Sequence, residues 1–148
     1  MVEGLRSADF TVGEVVAKTR KRHAPAPFIT SRLQQEAHRF FRYSAKRTMA
    51  LAQQLYEGIE LGDEGPTGLI TYMRTDSTRV AAEAVDEART FIANTFGDQF
   101  VPETPNLYQN RKSAQDAHEA IRPTSAEWSP ERVKPWLDGD QFKLYSLI

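Results

Sequence analysis

Apolar residues recur at helical spacing in three stretches of the chain. The first predicted helix begins at Thr30 or Ser31, either of which can cap a helix, and continues to about residue 42. The second follows Ser44 as its cap and ends at Gly58. Because their connection is short, the two form a helix-turn-helix pattern. Their apolar stripes are Leu33, Ala37, Phe40 and Phe41 in the first helix and Ala45, Met49, Ala52, Leu55 and Tyr56 in the second.

The third helix has the most regular periodicity. It is predicted to begin at Ser77 or Thr78 and to end at Gly97. A shorter helix is predicted from Ala114 to Ile121 and would carry His118. The apolar face of the third helix comprises Ala81, Ala84, Val85, Ala88, Phe91, Ile92 and Phe96.

Extended structure is predicted in two places. Alternating apolar residues between Phe10 and Val16 suggest a short extended segment, which leads through a proline-rich linker to a domain boundary near Pro27. Residues 68–72 are rich in β-branched, aromatic and apolar side chains, which is typical of a short buried strand. The fold class is therefore α+β and mainly helical.

Composition narrows the class of protein. An apolar share of 40% in 148 residues can form a core, and the chain has no cysteine for a disulfide, a thiolate metal site or a thiol nucleophile. A net charge of -1 argues against a polybasic nucleic-acid binder. No apolar run approaches membrane-spanning length, so we expect a cytoplasmic protein without membrane contact.

Candidate chemistry lies in residues 70–77. Strand periodicity places Tyr72, Arg74 and Asp76 on one face. A tyrosine attacks phosphorus only if its proton leaves or nearby positive charge stabilises the phenolate, and a guanidinium can also bind two phosphate oxygens. This arrangement favours phosphoryl chemistry. The structural alternative is a core tyrosine beside an Arg74–Asp76 ion pair.

The eleven residues of Gly68–Thr78, GLITYMRTDST, resemble the active-site signature of type IA DNA topoisomerases. Residues 27–36, PFITSRLQQE, and residues 117–124, AHEAIRPT, resemble the same family in the same order. Met73 resembles the bacterial topoisomerase I branch, whereas the topoisomerase III branch commonly has proline there.

The resemblance implies that Tyr72 attacks single-stranded DNA, forms a 5′-phosphotyrosyl bond and is released when the 3′-hydroxyl reverses the step after strand passage. Negatively supercoiled DNA would then be relaxed without ATP. Arg74 and His118 would be catalytic and bind DNA, Arg122 would bind DNA, and Asp76 would support His118. Arg122 could instead brace its own segment.

The resemblance also implies a domain organisation. Residues 1–27 would be a strand and linker from the arch domain, residues 28–125 the catalytic-tyrosine domain, and residues 126–148 a truncated return to the arch. Magnesium would bind to a Toprim domain that lies outside this fragment but in the same polypeptide, and the whole protein would be a monomer. The fragment alone is therefore expected to fold without relaxing supercoiled DNA or cleaving efficiently.

Two other classes of protein remain open. In a non-enzymatic helix-turn-helix binder, residues 31–57 would read duplex DNA and Tyr72 would belong to the core. In a tyrosine recombinase, the phosphotyrosyl bond would be to a 3′-phosphate. Lys46 and Arg47, at the start of the second helix, oppose its dipole, which suggests either phosphate binding or a solvated face.

Overall fold

The computed structural model describes residues 8–20, 23–106, 108 and 118–148. Five α-helices lie in these ranges: α1 (Thr30–Phe41), α2 (Ala45–Glu57), α3 (Ala82–Phe96), α4 (Pro130–Val133) and α5 (Gly139–Leu147). A two-stranded antiparallel sheet pairs β1 (Ile59–Glu60) with β2 (Pro66–Thr67). The predicted α+β, mainly helical class is confirmed. No helix in the described ranges is long and apolar enough to cross a membrane.

Helices α1 and α2 form the predicted helix-turn-helix pattern. Helix α1 ends where Arg42 adopts a left-handed conformation at φ 59° and its amide donates to the His38 carbonyl. Ser44 caps α2, accepting a hydrogen bond from the Arg47 amide at 3.2 Å. At Gly58, φ is 131°, a conformation that side-chain-bearing residues rarely adopt, which is why α2 ends there.

The beginning of α1 differs from the prediction. Its N-cap is Ile29, which has no side chain able to cap, and Thr30 is already helical. The Thr30 hydroxyl instead contacts Met73 and Thr75. Tertiary contacts have therefore taken the group that sequence reasoning assigned to helix capping.

Helix α3 begins later than predicted, at Ala82 instead of Ser77 or Thr78. The backbone before it is used for tertiary pairing, because the Arg79 carbonyl accepts from the Ala120 amide at 2.8 Å. The end at Gly97 is confirmed. No side chain of α3 is fully buried, and its apolar face lines an open groove of about 780 Å³.

The C-terminal residues pack into the same core as the helix pair. Fully buried Val133 from α4 and Leu144 and Tyr145 from α5 join the residues of α1 and α2. That residues 126–148 begin a return to the arch domain stays a prediction. The core members from the helix pair are Leu33, Ala37, Leu51, Ala52 and Leu55.

The predicted short helix from Ala114 to Ile121 is wrong over residues 118–121, which are not helical. Residues 114–117 lie outside the described ranges. The Ala120 and Ile121 amides donate to Arg79 and Phe28, so they cannot serve a helix of their own. Local apolar spacing was overridden by pairing with distant backbone.

Two isolated antiparallel bridges join the three sequence stretches that carry the resemblance. Phe28 pairs with Ile121, and Ile70 pairs with Pro123. Within the predicted strand at residues 68–72, only Leu69 and Ile70 are fully buried, at 0% and 1% exposure, and the segment forms only a bridge. Stretches separated by about fifty and ninety residues in the chain meet along one line of backbone contacts.

Residues 8–20 form no helix or strand, and all of their side chains are exposed. The alternating apolar residues that predicted an extended segment include Phe10 and Val15, both with most of their surface open to solvent. They have no strand partner within the described part of the chain.

Candidate active site

Exposure alternates residue by residue from Tyr72 to Ser77. Met73, Thr75 and Ser77 are buried, at 0%, 7% and 0% exposure. Tyr72 is 43% exposed, and Arg74 and Asp76 are also exposed. The predicted alternation of side chains is thereby confirmed, although bends interrupt regular strand geometry in this segment. The premise that Tyr72 belongs to the core, which the helix-turn-helix binder alternative requires, is wrong.

Two threonine hydroxyls connect this segment to its neighbours. Thr30 Oγ1 lies 2.8 Å from the Met73 carbonyl oxygen and 3.0 Å from that of Thr75, and accepts from the Thr75 amide at 2.8 Å. Thr71 Oγ1 donates to the Ala120 carbonyl at 2.7 Å and accepts from the Arg122 amide at 3.0 Å. The backbone on both sides of Tyr72 is therefore held by tertiary bonds.

Arg74, Asp76 and His118 line one polar cavity of about 500 Å³. The first turn of α1 forms its other wall, through Ile29, Thr30 and Ser31. The cavity brings together residues from all three stretches of the resemblance. Tyr72 is not among its lining residues, so its exposed ring lies outside this space.

The predicted support of His118 by Asp76 is not formed. Among the described residues, no hydrogen bond or ion pair joins these two side chains, nor Arg74 to Asp76. The side chains share a cavity wall without reaching each other. The structural alternative of an Arg74–Asp76 ion pair is wrong for the same reason.

Tyr72 has an aromatic neighbour that sequence reasoning placed only in an apolar stripe. The Tyr56 ring, at the end of α2, lies edge-on to the Tyr72 ring with centroids 5.4 Å apart. Such contacts restrict ring orientation and contribute about 0.5–1.5 kcal/mol. Tyr56 is itself 40% exposed, an unusual position for a stripe residue. Spacing along α2 could not reveal that Tyr72 would lie beside it.

Arg122 is engaged by its own segment. Its guanidinium donates to the Glu119 carboxylate at 3.0 Å and to the Pro123 carbonyl at 2.8 Å. Its Nε is buried and has no partner among the described residues. Glu119 also accepts from the Ala81 amide before α3. These contacts correspond to the bracing alternative, while DNA binding by Arg122 stays a prediction.

Arg47 points towards α5. It forms an ion pair with Asp140, and its guanidinium lies 5.2 Å from the Tyr43 ring centre. The pKa of Asp140 is lowered, mainly by the hydrogen bond from the Tyr43 hydroxyl and also by the bond from Arg47. The pKa of Tyr43 is raised to about 12, mainly by burial and also by the neighbouring Asp140. Arg47 thus joins α2 to α5, against the hypothesis of phosphate binding. Lys46 is exposed.

The relation to known proteins agrees with this geometry. A family profile described as DNA topoisomerase matches residues 1–148. The chain belongs to this family. The predicted membership among the bacterial type IA enzymes is confirmed by the relatives described next.

The chain is 48% identical to "DNA topoisomerase 1" of Rickettsia bellii over 149 residues, which is all of this chain and 18% of that protein. It is 49% identical to "DNA topoisomerase 1" of Xylella fastidiosa, over 93% of this chain and 17% of that protein. A structure of full-length topoisomerase I from Thermotoga maritima superposes with a TM-score of 0.80 at 43% identity, covering 99% of this chain and 23% of that one. The chain thus spans under a fifth of these curated relatives' length.

Proposed function

We propose that this chain supplies the nucleophile for ATP-independent relaxation of negatively supercoiled DNA, within a longer polypeptide of the type IA class. The observation that carries the proposal is the exposed face of Tyr72, Arg74 and Asp76 on a segment whose alternate residues are buried. The exposed Tyr72 phenol lies two residues before the exposed Arg74 guanidinium. The backbone that carries them is held by the hydrogen bonds of Thr30 and Thr71. The substrate is single-stranded DNA.

In the proposed reaction, Tyr72 Oη attacks a backbone phosphorus as its proton leaves. The new bond joins Oη to phosphorus, the bond between phosphorus and the 3′-oxygen breaks, and that oxygen takes up a proton as a 3′-hydroxyl. After strand passage the hydroxyl attacks the phosphotyrosine and restores both original groups. The numbers of phosphoester bonds before and after are equal, which is why no ATP is consumed.

Arg74 and His118 have separate proposed roles. Arg74 holds the phosphoryl oxygens and stabilises the negative charge that builds on them during displacement. His118 lines the same cavity and donates to a phosphate oxygen or carries a proton. Asp76 adds a carboxylate to this cavity, and Arg122 contacts DNA in addition to bracing its segment.

Magnesium belongs to a different part of the proposed enzyme. Within the described ranges, no group of three or more His, Cys, Asp or Glu side chains could hold a metal ion. These residues therefore do not fit the ion. We propose that a Toprim domain in the same polypeptide holds it, and that the 148-residue chain alone does not relax supercoiled DNA.

The decisive experiment traps the covalent adduct. A full-length polypeptide carrying this segment is incubated with single-stranded DNA bearing different fluorophores at its two ends, then denatured and digested for mass spectrometry. We expect the 3′-labelled part to be attached to Tyr72 and the 5′-labelled part to be released with a free hydroxyl. Tyr72→Phe should abolish the adduct, while single-stranded DNA binding changes less than about threefold.

Tyr108→Phe is the matched control. The Tyr108 hydroxyl lies 3.4 Å from the Ala24 carbonyl oxygen, so this variant also removes one phenolic hydroxyl. The control should form the adduct at the rate of the unmodified protein. An adduct that survives Tyr72→Phe, or one that retains the 5′ label, would overturn the proposal.

A further inference from the structure

Thr30 lies at the junction between α1 and residues 72–77, which we call the tyrosine segment. Its amide donates to the Thr75 carbonyl at 2.9 Å, and its hydroxyl accepts from the Thr75 amide at 2.8 Å. The same hydroxyl lies within hydrogen-bond distance of the Met73 and Thr75 carbonyl oxygens and has one proton to donate between them. One residue therefore contacts three polar backbone groups in two residues that flank Arg74.

These contacts restrict the backbone that carries the guanidinium. Met73 and Thr75 are buried, so their positions are set by packing as well as by the bonds to Thr30. Arg74 lies between them, exposed, and its side chain lines the same cavity as Thr30. A shift of the backbone at Met73 or Thr75 would consequently move the Cα of Arg74, and with it the reach of its guanidinium.

We propose that Thr30 is a positioning residue for Arg74. It holds the backbone on either side of the arginine so that the guanidinium meets the phosphoryl group in the orientation that the displacement requires. The proposal rests on the proposed function, because it assigns Thr30 a part in the cleavage step that Tyr72 performs. Thr30 itself forms no bond to DNA in this scheme.

The placement of the hydroxyl distinguishes this role from ordinary helix capping. A threonine at the first turn of a helix usually accepts a bond from an amide of that helix. Here the N-cap is Ile29, without a side-chain cap, and the Thr30 hydroxyl is directed to a segment 43 to 45 residues away. The hydroxyl is used to join α1 to the tyrosine segment.

Thr30→Val tests the role, because valine keeps the branched shape and removes the hydroxyl. In the full-length polypeptide we expect the rate constant for adduct formation at saturating single-stranded DNA to fall about tenfold or more, since small misplacement of a catalytic group is costly. The dissociation constant for DNA should change less than about threefold. Thr30→Ser, which restores the hydroxyl, should recover cleavage to within about threefold of the unmodified protein.

Thr48→Val is the matched control for loss of a buried threonine hydroxyl. Thr48 is fully buried in α2, and its hydroxyl donates to the Ser44 carbonyl at 3.0 Å, within its own helix turn. It should lower the thermal midpoint comparably while leaving the cleavage rate constant within about twofold. If Thr30→Val does not fold, Thr30→Ala is measured by the same criteria.

A double-mutant cycle with Arg74→Ala tests whether Thr30 acts through the arginine. We expect Thr30→Val to reduce cleavage by less than about twofold in the Arg74→Ala background, because the group being positioned is already gone. Equal fold losses in both backgrounds, no loss in Thr30→Val, or a loss matched by Thr48→Val would each overturn the inference. An adduct that survives Tyr72→Phe would instead refute the proposed function, so the two failures are distinguishable.

Discussion

The direction in which Tyr72 points follows from the alternation of residues in its own segment. Met73, Thr75 and Ser77 face the interior, so Tyr72, Arg74 and Asp76 face outward on the alternate positions. This face could be predicted from residue order, because extended backbone turns successive side chains to opposite sides. Exposure of the phenol could not, since most tyrosines in apolar segments pack into cores.

Gly68 shows a backbone approach that only glycine permits. A Cβ at this position would lie 2.7 Å from the Tyr56 carbonyl oxygen, and that atom belongs to the backbone of the last turn of α2. We predict that Gly68→Ala lowers the free energy of unfolding by about 1–3 kcal/mol, because the two backbone segments must separate. Urea denaturation followed by circular dichroism measures the change.

Gly139→Ala is the control for this substitution. A Cβ there meets no atom within 4 Å, and Gly139 is the first residue of α5. The control should be neutral or stabilising by up to about 1 kcal/mol, since alanine loses less backbone entropy in a helix. Equal losses in both variants would contradict the close-approach explanation.

At the scale of elements, predictions succeeded where local signals and tertiary contacts agreed. The cap at Ser44 and the terminating Gly58 and Gly97 lie where the sequence placed them. The predictions failed where distant backbone groups competed for the same hydrogen bonds, as at the start of α3 and in residues 118–121. A residue's own neighbours predict its capping chemistry but not which remote carbonyl will accept its amide proton.

Two buried tyrosines of the core, Tyr43 before α2 and Tyr145 on α5, make stability depend on alkaline pH. Burial raises the pKa of Tyr145, and burial together with Asp140 raises that of Tyr43, each to about 12 from an ordinary value of 10.0. The folded state holds both protons more tightly than the unfolded state does. Their stabilising contribution is therefore complete below pH 10 and is lost as pH rises from 10 towards 12.

We predict that the urea midpoint falls as pH rises from 10 towards about 12, and that Tyr43→Phe combined with Tyr145→Phe makes this fall shallower. Phenylalanine cannot lose a proton, so the folded and unfolded states of the variant differ less in proton binding. Thr48→Val, which removes a buried hydroxyl that does not titrate in this range, should keep the original slope. An unchanged slope in the double variant would show that these tyrosines are not the cause.

For the molecule as a whole, we predict that residues 126–148 unfold in one transition with α1 and α2. Leu144 is fully buried on α5 against the core of α1 and α2. We predict that Leu144→Ala lowers the free energy of unfolding by about 2–5 kcal/mol, through lost apolar burial and the cavity left behind. Fluorescence and circular dichroism should still report one shared transition, shifted to lower urea.

Phe100→Ala serves as the comparison, because Phe100 is 63% exposed. Its cost should stay within about 0.5 kcal/mol, as for most surface substitutions. If Leu144→Ala cost equally little, or if it separated the transition into two, α5 would not be part of the core. Residues 126–148 would then be better described as a separate unit, in line with the arch-domain assignment that the family resemblance implies.

The sequence by itself determined the helix pair, the cap at Ser44, the helix ends at Gly58 and Gly97, the membership in the DNA topoisomerase family and the alternation of side chains from Tyr72 to Ser77. These depend on local periodicity, capping chemistry or a long motif, all of which are carried by neighbouring residues. Tertiary structure alone decided that Thr30 would hold the tyrosine segment, that Tyr56 would lie against Tyr72 and that Glu119 would accept a bond from the Ala81 amide. Those contacts depend on which distant groups the fold brings within hydrogen-bond or van der Waals distance, and no local pattern encodes that choice.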